Sequence, residues 1–357
     1  MRLKPIYIFP ICLALVLALS LPFLSRGTDK PALKEPENST NSEETVENTE
    51  QVTEEVTQPQ PESFTLTFVG DCTLGSNAST RDHETSFVRV VGDDYDYPFA
   101  NVAQIFKDDD FTLANLEGTL TERGTPMDKP FVFRGPAAYT AILRGVEAVT
   151  ISNNHILDYG YEGLADTKEA LSAAGIAYGA REQTFLYTTE GGLSIGVYCD
   201  DFAFDRTSIT ESIAALREQG ADIVVCAFHW GEEKDYHPNQ NEIDWAHIAI
   251  NAGADIVAGH HPHVLQPIEY YNGGVILYSL ANFCFGGNAN PSDPDTAIIQ
   301  QEVIRDVDGS VRLGELNIIP CSVSSIQGRN NYQPTPMEVG SEGYNRVLQK
   351  LEGTYKK

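Results

Sequence analysis

No Cys-x-x-Cys spacing occurs anywhere in the 357 residues, although six cysteines are present. That absence excludes a site built on clustered thiolates. Cys12 lies in an N-terminal apolar run, and Cys199, Cys226, Cys284 and Cys321 lie in or beside apolar strand-like stretches. They read as small buried hydrophobes rather than a disulfide framework, and Cys72, beside Asp71, reads as a spectator. Positive charge is scarce too: 24 Lys and Arg against 51 Asp and Glu give a formal net charge of −27. Nucleic acid and an anionic membrane surface are therefore excluded as the main partner. A polyanionic substrate would need local cations, and bound metal is the obvious source. No internal repeat is visible, which removes solenoids and propellers.

Arg2 and Lys4 precede an apolar run from Ile6 to Leu24, broken by Pro10 and Pro22. Roughly 19 apolar residues behind a positive end suit a membrane-spanning segment. Neither an Ala-x-Ala cleavage pattern nor a Leu-x-x-Cys lipobox follows it, so residues 1–25 read as an uncleaved signal anchor. The positive-inside rule then keeps the short N-terminus in the cytoplasm. The expected product is a single-pass cell-membrane protein whose catalytic domain is extracytoplasmic. Residues 26–63 turn to Glu, Thr, Asn, Gln and Pro. Such a segment cannot bury enough apolar surface to offset its ordering entropy, and a disordered acidic linker is expected.

A folded domain is expected over 64–357. Apolar runs at Phe64–Val69, Phe111–Asn115, Val146–Ile151, Leu193–Tyr198, Ile223–Phe228 and Asp255–Ala258 read as strands. Helical patterns lie between them at Phe99–Lys107, Ala137–Arg144, Gly163–Ala174, Ile209–Gln219 and Glu242–Asn251. Asn272-Gly273 and Asp308-Gly309 then mark two hairpins, and a last helix is expected over Glu342–Leu351. Strand and helix alternating through the middle indicate an α/β fold, whose ligands bind outside the carboxyl ends of the strands.

Those ends carry the chemistry. The predicted strands lead into Asp71, Asn115-Leu116-Glu117, Asn153-Asn154-His155, His229 and Gly259-His260-His261-Pro262-His263. Asp71, Glu117, Asn154, His229, His261 and His263 offer mixed oxygen and nitrogen donors, a set that suits Mn, Fe, Co or Zn better than Ca or Mg. Two divalent ions would need a shared anionic bridge, from Glu117 or Asp71. Each residue has a bland alternative: a turn former for Asp71, a solvated turn for Glu117, a cap for Asn154, a packed core ring for His229. His260 is expected to face away, since neighbouring strand residues point to opposite sides. His155, with Asp158 three residues on, suits a general acid held by a carboxylate. Arg134 could clamp an anionic group, and Asn115 and Trp230 could line the pocket.

Gly70-Asp71, Asn115-Leu116-Glu117-Gly118, Asn153-Asn154-His155 with Asp158-Tyr159-Gly160, His229-Trp230-Gly231 and His261-Pro262-His263-Val264, in that order, resemble the CapA/PgsA-type poly-γ-glutamate capsule-synthesis family. Leu277-Tyr278-Ser279-Leu280-Ala281-Asn282-Phe283 also fits, with Ala281 where the family more often has Gly. The resemblance covers about residues 64–285. That family is similar in turn to the calcineurin-like metallophosphoesterases, whose motifs are Asp-x-His, Gly-Asp-x-x-Asp, Gly-Asn-His-Asp/Glu, a lone His and Gly-His-x-His. The resemblance implies a four-layer αββα sandwich and a two-metal centre. Thr73 departs from the pattern in place of the first His, Glu117 stands in for the second-motif Asp, and Ile156 replaces an acid that Asp158 would supply.

The residues and the resemblance together indicate a membrane-anchored, metal-dependent hydrolase of poly-γ-glutamate or another envelope polymer, holding two divalent ions (Mn, Fe or Zn). Its partners would be that anionic polymer or a phosphorylated envelope substrate, and a membrane polymer synthase. The alternatives are a non-catalytic polymer-binding or export partner of the synthase, and a general cell-surface phosphoesterase.

Overall fold

The computed structural model describes residues 60–357. The expected anchor, and the expected linker as far as residue 59, lie outside the described residues. Among the described residues no helix is long and apolar enough to cross a membrane.

Two sheets carry the fold. The first has eight strands, and its centre is Glu62–Thr73, flanked in parallel by Phe111–Leu116 and then by Ala148–Thr150 and Ala177–Gly179. On its other side Asp295–Arg305, Val311–Ser322 and Thr335–Pro336 add antiparallel strands, and Asn282–Phe285 pairs in parallel with the end of Glu62–Thr73. The second sheet runs Ile268–Tyr271, Gly274–Leu277, Ile256–His260, Ile223–His229, Ser194–Asp201 and Gln183–Thr188, parallel except at its two edges. A three-stranded sheet of Ser76–Asn77, Phe133–Gly135 and Thr119–Leu120 stands apart.

Central parallel strands are covered on both faces, which explains runs such as Ile223–His229 with every residue buried. Three apolar clusters define the layers. Phe64, Leu66 and Phe68 meet Val197, Val225 and Ala258 between the sheets. Val69, Leu116 and Val149 meet Phe106, Ile142 and Leu171 from the helices Ala103–Lys107 and Gly160–Ala174 and the 3-10 turn Ala137–Leu143. Val224, Phe228 and Ile276 meet Ile213, Leu216, Ala246 and Ile250 from the helices Arg206–Glu218 and Gln240–Asn251. These helices therefore sit on the outer face of each sheet, around an inner apolar seam to which the last helix, Glu342–Leu351, adds Val347 and Leu351. The short helix Phe87–Val91 carries no sequence signal strong enough to have been foreseen. All five described cysteines are buried and unpaired.

One irregularity sets the direction of Asp71. Phe64, Leu66 and Phe68 face the second sheet, so strict alternation would turn Asp71 toward the helices. The pairing register with Phe111–Leu116 shifts between Phe68 and Asp71, and such a bulge re-aims the residues beyond it. Gly70 lies at the shift. A Cβ there would stand 2.0 Å from the carbonyl oxygen of Ala281, which accepts a hydrogen bond from the Asp71 amide at 2.8 Å. Gly70→Ala is expected to lose about 2–4 kcal/mol in urea unfolding, because backbone rather than a flexible side chain must give way.

Candidate metal centre

Every candidate ligand sits at or just past the carboxyl end of a strand. Asp71 lies near the end of Glu62–Thr73, Glu117 follows Phe111–Leu116, and the turn 153–155 follows Ala148–Thr150. His229 and His260 close two neighbouring strands of the second sheet and pair with each other in register. Beyond His260 the chain leaves the sheet: His261 has φ +98° and His263 φ +56°. Left-handed backbone at two non-glycine residues is costly, and such strain gathers at functional sites.

These residues converge. Ligand atoms of Asp71, Glu117 and His263 all lie within 4.8 Å of one another. Oε1 of Glu117 stands 3.9 Å from Nε2 of both His155 and His229 and 4.0 Å from Nε2 of His263. Nδ1 of His263 is 3.2 Å from Oδ2 of Asp71. Nε2 of His229 is 2.9 Å from Oδ1 of Asn154, and the His261 ring centre lies 4.8 Å from that of His229. Asn115 orients the group: its Nδ2 donates to Oδ1 of Asp71 at 2.8 Å, while Nδ2 of Asn153 donates to its Oδ1 at 3.0 Å and so fixes the amide.

The test for a cation is whether this pocket wants one. Oδ2 of Asp71, both carboxylate oxygens of Glu117 and Oγ1 of Thr73 are buried with no hydrogen-bond partner. An unpartnered buried polar group costs about 1–3 kcal/mol, and more when it is charged. Several such oxygens converging on imidazoles fit a divalent ion.

Their titration reflects that strain. Burial alone would raise the Asp71 carboxyl, but the His260 and His263 imidazoles outweigh it and hold Asp71 well below the usual carboxylate range. Burial pushes Glu117 up to about 8, against the pull of His263. Burial would lower His263, yet Glu117 and Asp71 raise it to about 9. Burial and the neighbouring His263 bring His261 down to about 4, and burial with His261 takes His229 well below its ordinary value. Glu117 and His263 thus hold protons that a cation would displace.

Beside this group stands a second constellation. Nδ1 of His155 is 2.8 Å from Oδ2 of Asp158, which also accepts the Phe133 amide at 2.6 Å. Lys129 completes it, with Nζ 2.5 Å from Oδ1 of Asp158 and 2.9 Å from the Asn154 carbonyl oxygen. A carboxylate can only accept here, so His155 donates from Nδ1 and presents Nε2 toward Glu117. A cavity of about 440 Å³ opens alongside, lined by His155 and His263 together with Phe131, Phe133, Phe285 and Lys234.

Of the residues expected as substrate contacts, Arg134 lines a small crevice together with Thr73 and Glu117. It lies over the Tyr159 ring, 4.6 Å from its centre. Trp230 sits elsewhere, buried on the helix side of the second sheet, and its Nε1 donates to the Tyr278 carbonyl oxygen. His260 does not face away: it points between the sheets, Nδ1 3.3 Å from Oδ1 of Asp71. Alternation counted back from His261 and His263 fails because the strand ends at His260. Lys129 carries no sequence signal of its own, whereas Asn282, whose Oδ1 lies 2.9 Å from Nδ1 of His263, belongs to the family-like segment 277–283, which by itself points to no role for it.

The sequence model of the family described as "Bacterial capsule synthesis protein PGA_cap" matches residues 65–287. The chain belongs to this family. Among similar proteins, the PGA biosynthesis protein CapA of Bacillus subtilis (strain 168) is 28% identical over 281 residues, 71% of this chain and 72% of that protein. The capsule biosynthesis protein CapA of Bacillus anthracis is 28% identical over 293 residues, 73% of this chain and 68% of that one. A probable polyglutamine synthesis accessory protein of Mycobacterium tuberculosis is 31% identical over 224 residues, 52% of this chain and 58% of the relative. Among solved structures, the NAD nucleotidase of Haemophilus influenzae superposes with a TM-score of 0.44 at 12% identity, over 82% of this chain and 63% of that one. Purple acid phosphatase PPD1 of yellow lupin gives 0.33 at 11% identity, over 79% and 58%. The PGA_cap match spans all the ligand candidates from Asp71 to His263.

Proposed function

We propose that this PGA_cap protein is a membrane-anchored, extracytoplasmic, metal-dependent hydrolase of metallophosphoesterase-like architecture that serves poly-γ-glutamate capsule synthesis. The observation that carries the reading is the convergence of Asp71, Glu117 and His263 with their unpartnered oxygens. Asp71, Glu117 and His263 would hold one ion. Glu117, Asn154, His229 and His261 would hold the second, with Glu117 shared. Three imidazoles favour Mn, Fe or Zn. Divalent ions supply Lewis acidity to such a site.

The chain's own residues provide the rest. His155 keeps its Nδ1 proton on Asp158 and offers Nε2 to move a proton onto a leaving oxygen or nitrogen. Lys129 holds Asp158 in place, and Lys234, in the cavity lining, offers a cation suited to an anionic chain end. The bond broken would be a phosphoester or a γ-glutamyl amide in the envelope polymer, and the names of the Bacillus relatives favour the polymer over a general phosphoesterase role. A membrane synthase is the expected partner.

His155→Ala tests the enzymatic half. Turnover of phosphoester or γ-glutamyl substrates with Mn(II) is expected to fall by about 10²–10⁴-fold, while Mn(II) uptake by elemental analysis stays at the wild-type level. A strain carrying this variant that still produced full capsule would point to a binding or export role instead.

A further inference from the structure

His260 carries an unexplained burden. It is 1% exposed, Nε2 has no partner, and Nδ1 approaches only an Asp71 oxygen, outside regular hydrogen-bond geometry, although a buried polar group left so is costly. Its orientation is fixed by the strand. A Cβ on Gly259 would stand 2.0 Å from the Tyr278 carbonyl oxygen and 2.7 Å from Nε1 of Trp230, on the helix side. His260, one residue on, therefore faces between the sheets. There its nearest charged neighbour is Asp71, at 3.3 Å from Nδ1 to Oδ1.

Which oxygen it meets is informative. Oδ1 of Asp71 already accepts from Asn115, whereas Oδ2 is unpartnered and faces His263. No nitrogen of His260 belongs to the group of atoms gathered by Asp71, Glu117 and His263. We infer that His260 is a positioning residue of the metal centre: with Asn115 it holds Oδ1 of Asp71, so that Oδ2 stays aimed at the cation. The inference rests on the proposed metal site and adds a residue outside its ligand set. Partners behind a ligand commonly tune affinity without touching the ion. A carboxylate on a bulged strand has particular need of a second support, because the backbone behind it departs from regular pairing.

The test compares His260→Leu, His260→Asn and His260→Gln in the full-length protein, with melting curves to confirm folding. Mn(II) affinity is read by calorimetry, and the Co(II) absorption spectrum reports the ligand set. Leu removes the N–H donor, and Gln carries its amide one bond beyond the place of Nδ1. Both are expected to weaken Mn(II) binding by about 10–100-fold, while the number of ions bound and the Co(II) band positions stay unchanged. Asn, whose Nδ2 is as far from Cβ as Nδ1 and can donate in its place, is expected to recover most of the loss. Wild-type affinity in the Gln and Leu variants would overturn the inference. So would a lost ion or shifted Co(II) bands in all three, which would make His260 a ligand. Wild-type protein that takes up no Mn(II) would sink the metal-centre reading itself, and is distinguishable from either result.

Discussion

Glu117→Gln is expected to melt higher than the wild type in the absence of metal, and to gain nothing when Mn(II) is added. The first half comes from linkage. Burial raises the Glu117 carboxyl to about 8 in the folded protein, above its ordinary 4.5. Between those values the folded state holds a proton that the unfolded state has released, so stability falls as pH rises through the window. Glutamine carries no such proton and escapes that loss. His263 is held protonated partly by Glu117 and gives back some of the difference. A net gain of about 1–3 kcal/mol near pH 8, roughly 3–6 °C in melting temperature, should shrink toward nothing near pH 5. The second half comes from the ligand set. Wild-type protein at a hundred times the dissociation constant gains about 2.7 kcal/mol from a bound ion, and the variant should show none of it. A variant that melts lower at pH 8, or is stabilised by Mn(II) like the wild type, would leave Glu117 without its central role.

The second large effect lies away from the ligands. Lys350 is buried, and its Nζ donates to Oδ2 of Asp293 and Oδ2 of Asp295, both at 2.6 Å. Arg346 grips Asp295 through two bonds of 2.7 Å, and Tyr236 donates to Asp293 at 2.8 Å. Through this network the last helix, Glu342–Leu351, is tied to the start of the strand Asp295–Arg305 and to Asp293, which lines the cavity beside the metal centre. Lys350→Ala leaves Asp295 to the Arg346 guanidinium and Asp293 with no cation, only the Tyr236 hydroxyl. A loss of about 3–5 kcal/mol in unfolding free energy is expected, since an ion stripped of its partner keeps its full desolvation cost. Combining Lys350→Met with Asp293→Asn and Asp295→Asn should recover much of that loss. Chemical denaturation of the wild type, the single variant and the triple variant decides it. A single variant within about 1 kcal/mol of the wild type would show the network to be surface decoration.

Much of the site is legible in the sequence, because parallel strands end in a patterned way. A short apolar run closed by Asp, Glu, Asn or His places its polar residue at the sheet's carboxyl edge, and Asp71, Glu117, Asn154 and His229 all obey this rule. The hairpins around Asn272-Gly273 and Asp308-Gly309 are likewise where turn chemistry puts them. The helix Glu342–Leu351 matches its expected bounds, whereas Phe99–Lys107 shrinks to Ala103–Lys107 and Ala137–Arg144 becomes a 3-10 turn. Other features are hidden by non-local causes. The bulge before Asp71 depends on a strand more than 40 residues away. The orientation of His260 depends on where its strand stops, which the left-handed His261 decides. Lys129 reaches Asp158 from a loop with no periodicity, so only tertiary contact reveals it. Trp230 resembles a pocket residue from its place beside His229, but alternation turns it to the opposite face.

The candidate ligands come from both sheets: Asp71, Glu117 and Asn154 from one, His229, His261 and His263 from the other. The layers otherwise meet through apolar packing, which is non-directional and tolerant of small slips. A cation at this spot would act as a rivet through the sandwich, converting a greasy contact into one with defined bond lengths. Amide exchange at the tips of Glu62–Thr73 and Ile223–His229 should then slow in concert on loading, although the two segments share no hydrogen bonds.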